Sequence, residues 1–308
     1  MKREHPAALS VGARSAPESK GARERRLGWA LTAPAFAVML GVTAWPMLRA
    51  VWLSLHSWRL TDPAGREWSG LRNYQVVLSD PLWWDDVATT TLLTLVTVAV
   101  ELVLGMAFAI VMHRAVIGRR LVRTAVLVPY GLVTVVAGFA WRYAFALDTG
   151  FVNGWLGLGE LSWFGARGTA LAAIALAEIW KTTPFMSLLL LAGLAQVPEE
   201  LHEAARLDGA GAVRSFLSVT LPAMRTSLLV AVLFRALDAY RIFDTVFVMT
   251  AGAQRTETVS FLAYRQMIGR TALGLGSAVS VLLFLTVMLF AAAFVKVLRL
   301  ELAPAGGA

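Results

Sequence analysis

The residues in this sequence that could do chemistry are charged and aromatic side chains set within apolar runs. Glu178, Trp180 and Lys181 lie on EIWKTTPFMSLLLLAGL (178–194), and Asp238, Tyr240, Arg241 and Asp244 lie on LFRALDAYRIFD (233–244). Their chemistry is hydrogen bonding and ion pairing, with aromatic faces alongside. A charge at mid-membrane costs about 2.5–3.5 kcal/mol on insertion scales. Such residues therefore face a bundle interior or an aqueous cavity. Two readings follow: the side chains line a path for a polar solute, or they pair with one another and hold helices in register. Arg235, Asp238, Arg241 and Asp244 recur every third residue. On an α-helix they sweep about half the circumference, and their alternating signs permit i,i+3 pairs. Asp238 and Arg241 are expected to be chiefly interior. Trp180 fits packing as well as a path, and Trp141 and Arg142 fit anchors near a membrane face.

Bond-making chemistry finds little support. Cysteine is absent, which removes thiolate nucleophiles, disulfides and Cys-ligated metals. His5, His56, His113 and His202 are scattered and form no HExxH pattern. No GxxxxGK[ST] loop occurs, so the chain carries no nucleotide-hydrolysing signature of its own. A membrane-embedded enzyme would need clustered His and Asp, and a secondary transporter would usually show internal repeats in a longer chain. Neither signature is found.

The elements that position these residues are transmembrane helices. The chain is 57% hydrophobic and 16% charged, whereas soluble domains are about a quarter charged. A spanning helix needs roughly 20 mostly apolar residues. Candidate spans cover 28–55, 87–112, 121–146, 170–194, 222–250 and 273–298, so the expected fold is an all-α, six-span polytopic bundle. Pro34, Pro46, Pro129 and Pro184 fall inside spans, where neighbouring helices can satisfy the carbonyls they free. The adjacent Trp83 and Trp84 precede a span, as interfacial anchors do.

Basic residues orient the bundle. Residues 1–26 hold seven Lys/Arg and no apolar period, and are expected to be a disordered cytoplasmic tail before a six-helix transmembrane domain over 27–300; 301–308 form a short C-terminal tail. The first span is too long for a signal-peptide core and is read as retained. Placing both termini inside leaves sixteen Lys/Arg in inner segments and seven in outer loops. That bias agrees with the positive-inside rule and a multi-pass protein of a cell membrane, which the resemblance described below implies to be bacterial.

The inner loop 196–222 is unlike its greasy surroundings. Pro198-Glu199-Glu200 signals a helix start, with carboxylates at the positive end. Leu201, Ala204 and Ala205 share a face, and Asp208-Gly209-Ala210-Gly211 stops the helix. A second short helix carries Val213, Phe216 and Leu217, and Pro222 opens the next span.

Within this loop Glu203-Ala204-Ala205, then Gly209, then Val219-Thr220-Leu221-Pro222 resemble the cytoplasmic signature of ABC importer permeases. That signature is Glu-Ala-Ala, three residues, Gly, nine residues, Ile-x-Leu-Pro. Val219 replaces the usual Ile. The resemblance implies the type I importer permease fold. It also implies that Glu203, Ala204, Ala205, Asp208, Gly209, Leu221 and Pro222 belong to a coupling helix that docks on an ATPase subunit. It runs from the first span to the last and is similar to the class that imports sugars and glycerol phosphates. LVRTAVLVPYG (121–131), EIWKTTPFMSLLLLAGLAQVP (178–198), LFRALDAYRIFD (233–244) and GLGSAVSVL (274–282) resemble permeases of trehalose importers in particular. The implied function is translocation of a sugar, expected to be trehalose, with another oligosaccharide or glycerol phosphate as the alternative. The implied partners are a second homologous permease, an ATPase dimer and an extracytoplasmic sugar-binding lipoprotein, besides membrane lipid; no nucleic acid is implied. ATP and Mg would be used by the ATPase chains, leaving this chain without cofactor, metal or catalytic residue of its own.

Overall fold

A computed structural model describes residues 18–114 and 118–302. The chain divides into two units after Ala50. Helix α1 (Glu18–Ser54) begins inside the segment expected as tail; residues 1–17 and 303–308 lie outside the described residues. A two-stranded hairpin, β1 (His56–Arg59) and β2 (Asp62–Trp68), follows in antiparallel register. The chain continues through α2 (Arg72–Ser79), α3 (Pro81–Arg114), α4 (Arg119–Gly131), α5 (Thr134–Ala144), α6 (Val152–Leu156) and α7 (Arg167–Leu194). Then come α8 (Glu199–Leu207), α9 (Ala212–Ser215), a π-helical turn Phe216–Thr220, α10 (Leu221–Ala223) and α11 (Arg225–Ala239). The last elements are α12 (Asp244–Met249), a 3-10 turn Ala253–Arg255, α13 (Val259–Tyr264), a π-helical turn Arg265–Gly269 and α14 (Leu273–Leu302).

Four helical segments, Gly28–Ser54, Pro81–Arg114, Arg167–Leu194 and Leu273–Lys296, are long and apolar enough to cross a membrane. Two bent pairs bring the number to six: α4 with α5, at 89°, and Ala212–Ala223 with α11, at 73°. The six-span expectation thus holds with each bent pair counted as one span. Two expected spans are not single helices. In 121–146, Leu132 and Val133 are extended. Gly131, which costs a helix more conformational freedom than other residues, ends α4 just beyond Pro129. In the fifth span, expected over 222–250, a bend at Met224 (φ −99°, ψ 10°) separates the arm Ala212–Ala223 from α11, which ends at Ala239. Pro222 therefore lies within the arm before the bend and does not open α11.

Close packing of α3, α7 and α11 centres the bundle. Between transmembrane helices, small residues that let backbones approach supply much of the association. A Cβ on Gly105 of α3 would lie 2.8 Å from Met186 Cγ of α7, and one on Gly193 of α7 would lie 2.6 Å from Ser227 Cβ of α11. Met186, Leu190, Met224 and Ala231 pack in the core these contacts frame. A second core joins Phe145, Trp163, Ile174, Val246 and Phe261. Pro184 leaves α7 unbroken. Thr182 and Thr183 in the preceding turn donate to the carbonyls of Glu178 and Ile179 (2.6 and 2.5 Å).

Candidate functional site

Two constructions stand out: a polar elbow at one end of the bundle and a charged cluster within it. The elbow starts with α8. Pro198 is its N-cap, Glu199 and Glu200 occupy its first turn, and Arg206 its last. The Arg206–Glu199 pair (3.4 Å) is mostly exposed and contributes little. Gly209 stands at φ +75°. Its N–H donates to Arg206 O (3.0 Å), while Ala210 N–H donates to Ala205 O (2.9 Å). This is a Schellman cap, which satisfies carbonyls orphaned at a helix end. A Cβ on Gly209 would meet nothing within 4 Å, so the backbone angle, not space, demands glycine.

Beyond the cap, α9, the π turn and α10 form one helical arm up to Met224. His202 of α8 lies 3.3 Å from Ser215 Oγ of α9. A cavity of about 630 Å³ separates the elbow from the ends of α3 and α7, lined by Ile110, His113, Leu194, His202 and Phe216 among others. Leu201, Ala204 and Ala205 do not share one environment: Ala205 is buried, whereas Leu201 and Ala204 are exposed. Glu203 and Asp208 are also exposed, as are Leu207 and Val213. The elbow thus offers an outward surface of apolar and acidic side chains on a capped frame. Leu221 is half-buried and Pro222 exposed on α10.

The charged cluster is built around Arg235 of α11, 1% exposed. Its guanidinium donates to both carboxylate oxygens of Glu101 on α3 (2.9 Å from Nη2 to Oε1). It also donates to Thr182 Oγ1 (2.9 Å) and Asp238 Oδ2 (3.0 Å). Thr182 Oγ1 also lies 2.7 Å from Glu101 Oε1, so its one hydroxyl hydrogen is shared between that carboxylate and the Glu178 carbonyl. Glu178 Oε2 stands 3.6 Å from Arg235 Nη2, and Glu178 Oε1 accepts the hydroxyl of Thr245 on α12. Burial of charge requires such pairing, because an isolated ion in low dielectric is far costlier than a paired one.

A cavity of about 280 Å³ opens beside this network, lined by Tyr130, Glu178, Lys181, Asp238, Arg241 and Asp244 among others. Lys181 Nζ stands 5.7 Å from the Tyr130 ring centroid, within cation–π range. The cavity wall thus alternates donors and acceptors. Five of the sequence candidates meet here: Glu178, Lys181, Asp238, Arg241 and Asp244. Trp180 and Tyr240 do not. Trp180 packs edge-on to Trp141 (5.6 Å) in an apolar groove of about 670 Å³, and Tyr240 is buried.

The ladder of four charges is not on one helix. It breaks at Tyr240–Phe243, so Arg235 and Asp238 end α11 while Asp244 begins α12. Arg235 is the interior member. Asp238 and Arg241, expected to be chiefly interior and to support a cavity, line this one, with their side chains exposed rather than buried. Arg142 donates to Val248 O at the end of α12 (2.9 Å), and Trp141 stacks on Phe145 (5.4 Å), so both serve as internal ties.

Glu101 and Thr245 were not among the sequence candidates. Glu101 had a signal: it is the one charged residue in 87–112, and an intramembrane carboxylate marks a paired or functional position. Thr245 had none. Among the described residues no three His, Cys, Asp or Glu side chains are placed to hold a metal ion.

Residues 101–300 match the family described as binding-protein-dependent transport system inner membrane component. The chain belongs to this family. It is 48% identical over 273 residues to the trehalose transport system permease protein SugA of Mycobacterium tuberculosis (strain ATCC 25618 / H37Rv), covering 89% of each chain. It is 37% identical to the trehalose/maltose transport system permease protein MalF of Thermococcus litoralis, over 90% of this chain and 95% of that one. A chain of a bacterial ABC transporter involved in import of the acidic polysaccharide alginate shares the fold, with TM-score 0.78 at 17% identity, over 92% of this chain and 98% of that one. Membership accounts for the apolar helices: the protein is a multi-pass inner membrane component, all-α in its spans. Both the elbow and the charged cluster lie within the matched region.

Proposed function

We propose that this chain is one of two permease subunits of an ATP-driven importer that carries a disaccharide, trehalose, into the cytoplasm. The observation that carries this reading is the capped elbow, which holds Glu203, Ala204, Asp208 and Pro222 exposed around the buried Ala205 and the Gly209 cap. The 48% identity to a trehalose permease supports the choice of sugar.

The elbow faces the cytoplasm, as do both termini, in keeping with the excess of Lys/Arg on that side. An ATPase dimer that binds ATP and Mg receives the elbow of this chain and that of a second, homologous permease. Closure of the ATPases moves the elbows inward and turns the permease pair outward. Sugar passes from an extracytoplasmic binding lipoprotein into the cavity at Lys181, Asp238 and Arg241, and hydrolysis resets the pair. This chain supplies the path and the mechanical link and hydrolyses nothing itself. Mixed donors and acceptors around the small cavity suit an uncharged polyol better than an anion.

The test is reconstitution with the partner chains, comparing ATPase stimulation by the binding protein loaded with trehalose, maltose or sucrose. Trehalose is expected to stimulate most. Equal responses, or stimulation by glycerol phosphate alone, would reject the sugar and retain the importer. No stimulation by any loaded binding protein would reject the importer.

A further inference from the structure

The break between α11 and α12 raises a question of support. Helix α12 has six residues, too few to hold a helical shape alone in the absence of tertiary packing. Side-chain ties secure it. Arg142 holds its C-terminal end through Val248 O, and Glu178 of α7 takes the hydroxyl of Thr245 in its first turn. The other carboxylate oxygen of Glu178 points to Arg235 near the end of α11. One side chain thus touches both halves of the broken segment.

Arg235 does not depend on Glu178 for neutralisation, because Glu101 already takes two of its donors. The Glu178–Arg235 contact is the loose one, at 3.6 Å and without a hydrogen bond. On the cavity side, Arg235 donates to Asp238, whose side chain is 68% exposed. A solute hydroxyl that engaged Asp238 would compete for the guanidinium that also faces Glu178, the partner of Thr245. We infer that Glu178 is a positioning residue that sets α12 against α11, so that occupancy of the cavity at Asp238 reaches the broken segment through Arg235. This inference rests on the proposed reading of the cavity as the solute path, but assigns Glu178 a role other than sugar ligand.

The test uses the importer assembled with its second permease, ATPase and binding protein in vesicles. Glu178→Gln keeps an oxygen for Thr245 and removes the charge facing Arg235; Thr245→Val removes the donor. Each is expected to raise the ATP consumed per sugar imported by roughly three- to tenfold, in the lower part of what coupling between contacting residues gives. The double variant should be no worse than the worse single variant, and Thr245→Ser should restore the wild-type ratio.

An unchanged ratio, with transport and hydrolysis falling together, would reduce Glu178 to a structural role and overturn the inference. An effect of Glu178→Gln without one of Thr245→Val would make Glu178 a sugar ligand and overturn it too. A measurement independent of transport uses spin labels on Phe234→Cys of α11 and Phe247→Cys of α12, both exposed, in a chain with no cysteine of its own. Read on the purified permease pair, the distance distribution should broaden in Thr245→Val and not in Thr245→Ser; identical distributions would overturn the inference. Failure of the importer reading would look different, since the wild-type assembly would then show no response to loaded binding protein.

Discussion

Gly209→Ala puts a Cβ on a residue held at φ +75°. For L-residues that conformation costs roughly 1–2 kcal/mol. Asn tolerates it better, because its short side chain bonds locally. We expect Gly209→Ala, and more so Gly209→Leu, to leave the protein inserted but to lower sugar uptake per assembled complex, with Gly209→Asn intermediate. Equal uptake by all three would show that the cap plays no part in coupling. At Arg235 the expectation concerns assembly. Arg235→Ala strands the buried carboxylate of Glu101, and breaking a buried pair costs about 3–5 kcal/mol. The double change Glu101→Gln with Arg235→Met removes both charges and should recover much of the assembled protein that Arg235→Ala loses. Assembled yield by size-exclusion chromatography checks this. Glu257, in the segment between the 3-10 turn and α13, is buried, and burial raises its pKa above the ordinary carboxylate value despite Arg265 at 2.8 Å and the nearby Arg270. The raised value means the folded form binds the proton more tightly than the unfolded form, so stability falls as pH rises from about 4.5 through the folded value. Wild type should lose thermal stability relative to Glu257→Gln over that rise; parallel curves would show that the carboxyl does not titrate between the states.

Pairs of helices meet where one side presents no side chain. Gly193 of α7 faces Ser227 of α11 so closely that an added Cβ would fall 2.6 Å from Ser227 Cβ. Overpacking of this kind costs about 1–3 kcal/mol. Gly193→Ala should lower the melting temperature in detergent, and Ser227→Gly added to it should restore part of the loss. If the second change worsens the first, the contact does not set the spacing of α7 and α11. The bends differ in legibility. The one after α4 follows Pro129 and Gly131, both readable as helix breakers. The break at Tyr240–Phe243 contains neither Pro nor Gly. It is held from outside: Thr258 donates to Ile242 O (3.1 Å), and Phe243 stacks on Phe261 and meets Tyr264 at a tilt.

The proposed orientation puts the elbow and both termini on the cytoplasmic side of six spans, as the Lys/Arg bias favours. A single cysteine at Arg206 can test this, because the chain has none of its own. Arg206→Cys is expected to react with an impermeant maleimide only after the cells are opened. Labelling in intact cells would overturn the orientation and with it the placement of the elbow on the ATPases.

Composition, hydropathy and one spaced motif determined the class of this protein: a polytopic helical bundle with a polar elbow of defined start and stop. These were legible because each rests on local physics. Apolar length marks a span, carboxylates mark a helix start, and glycine marks a left-handed cap. Five of seven cavity candidates were legible too, since a charge within an apolar run needs an interior. Only the tertiary structure decided which charge is the hub. Glu101 and Arg235 stand 134 positions apart, and no local pattern pairs them. It likewise decided that Trp180 packs in the apolar groove rather than the charged cavity, and that the charge ladder breaks between α11 and α12. Those outcomes depend on contacts from α3, α5 and the segment Thr258–Tyr264, and a helix period counted along one segment contains no information about them.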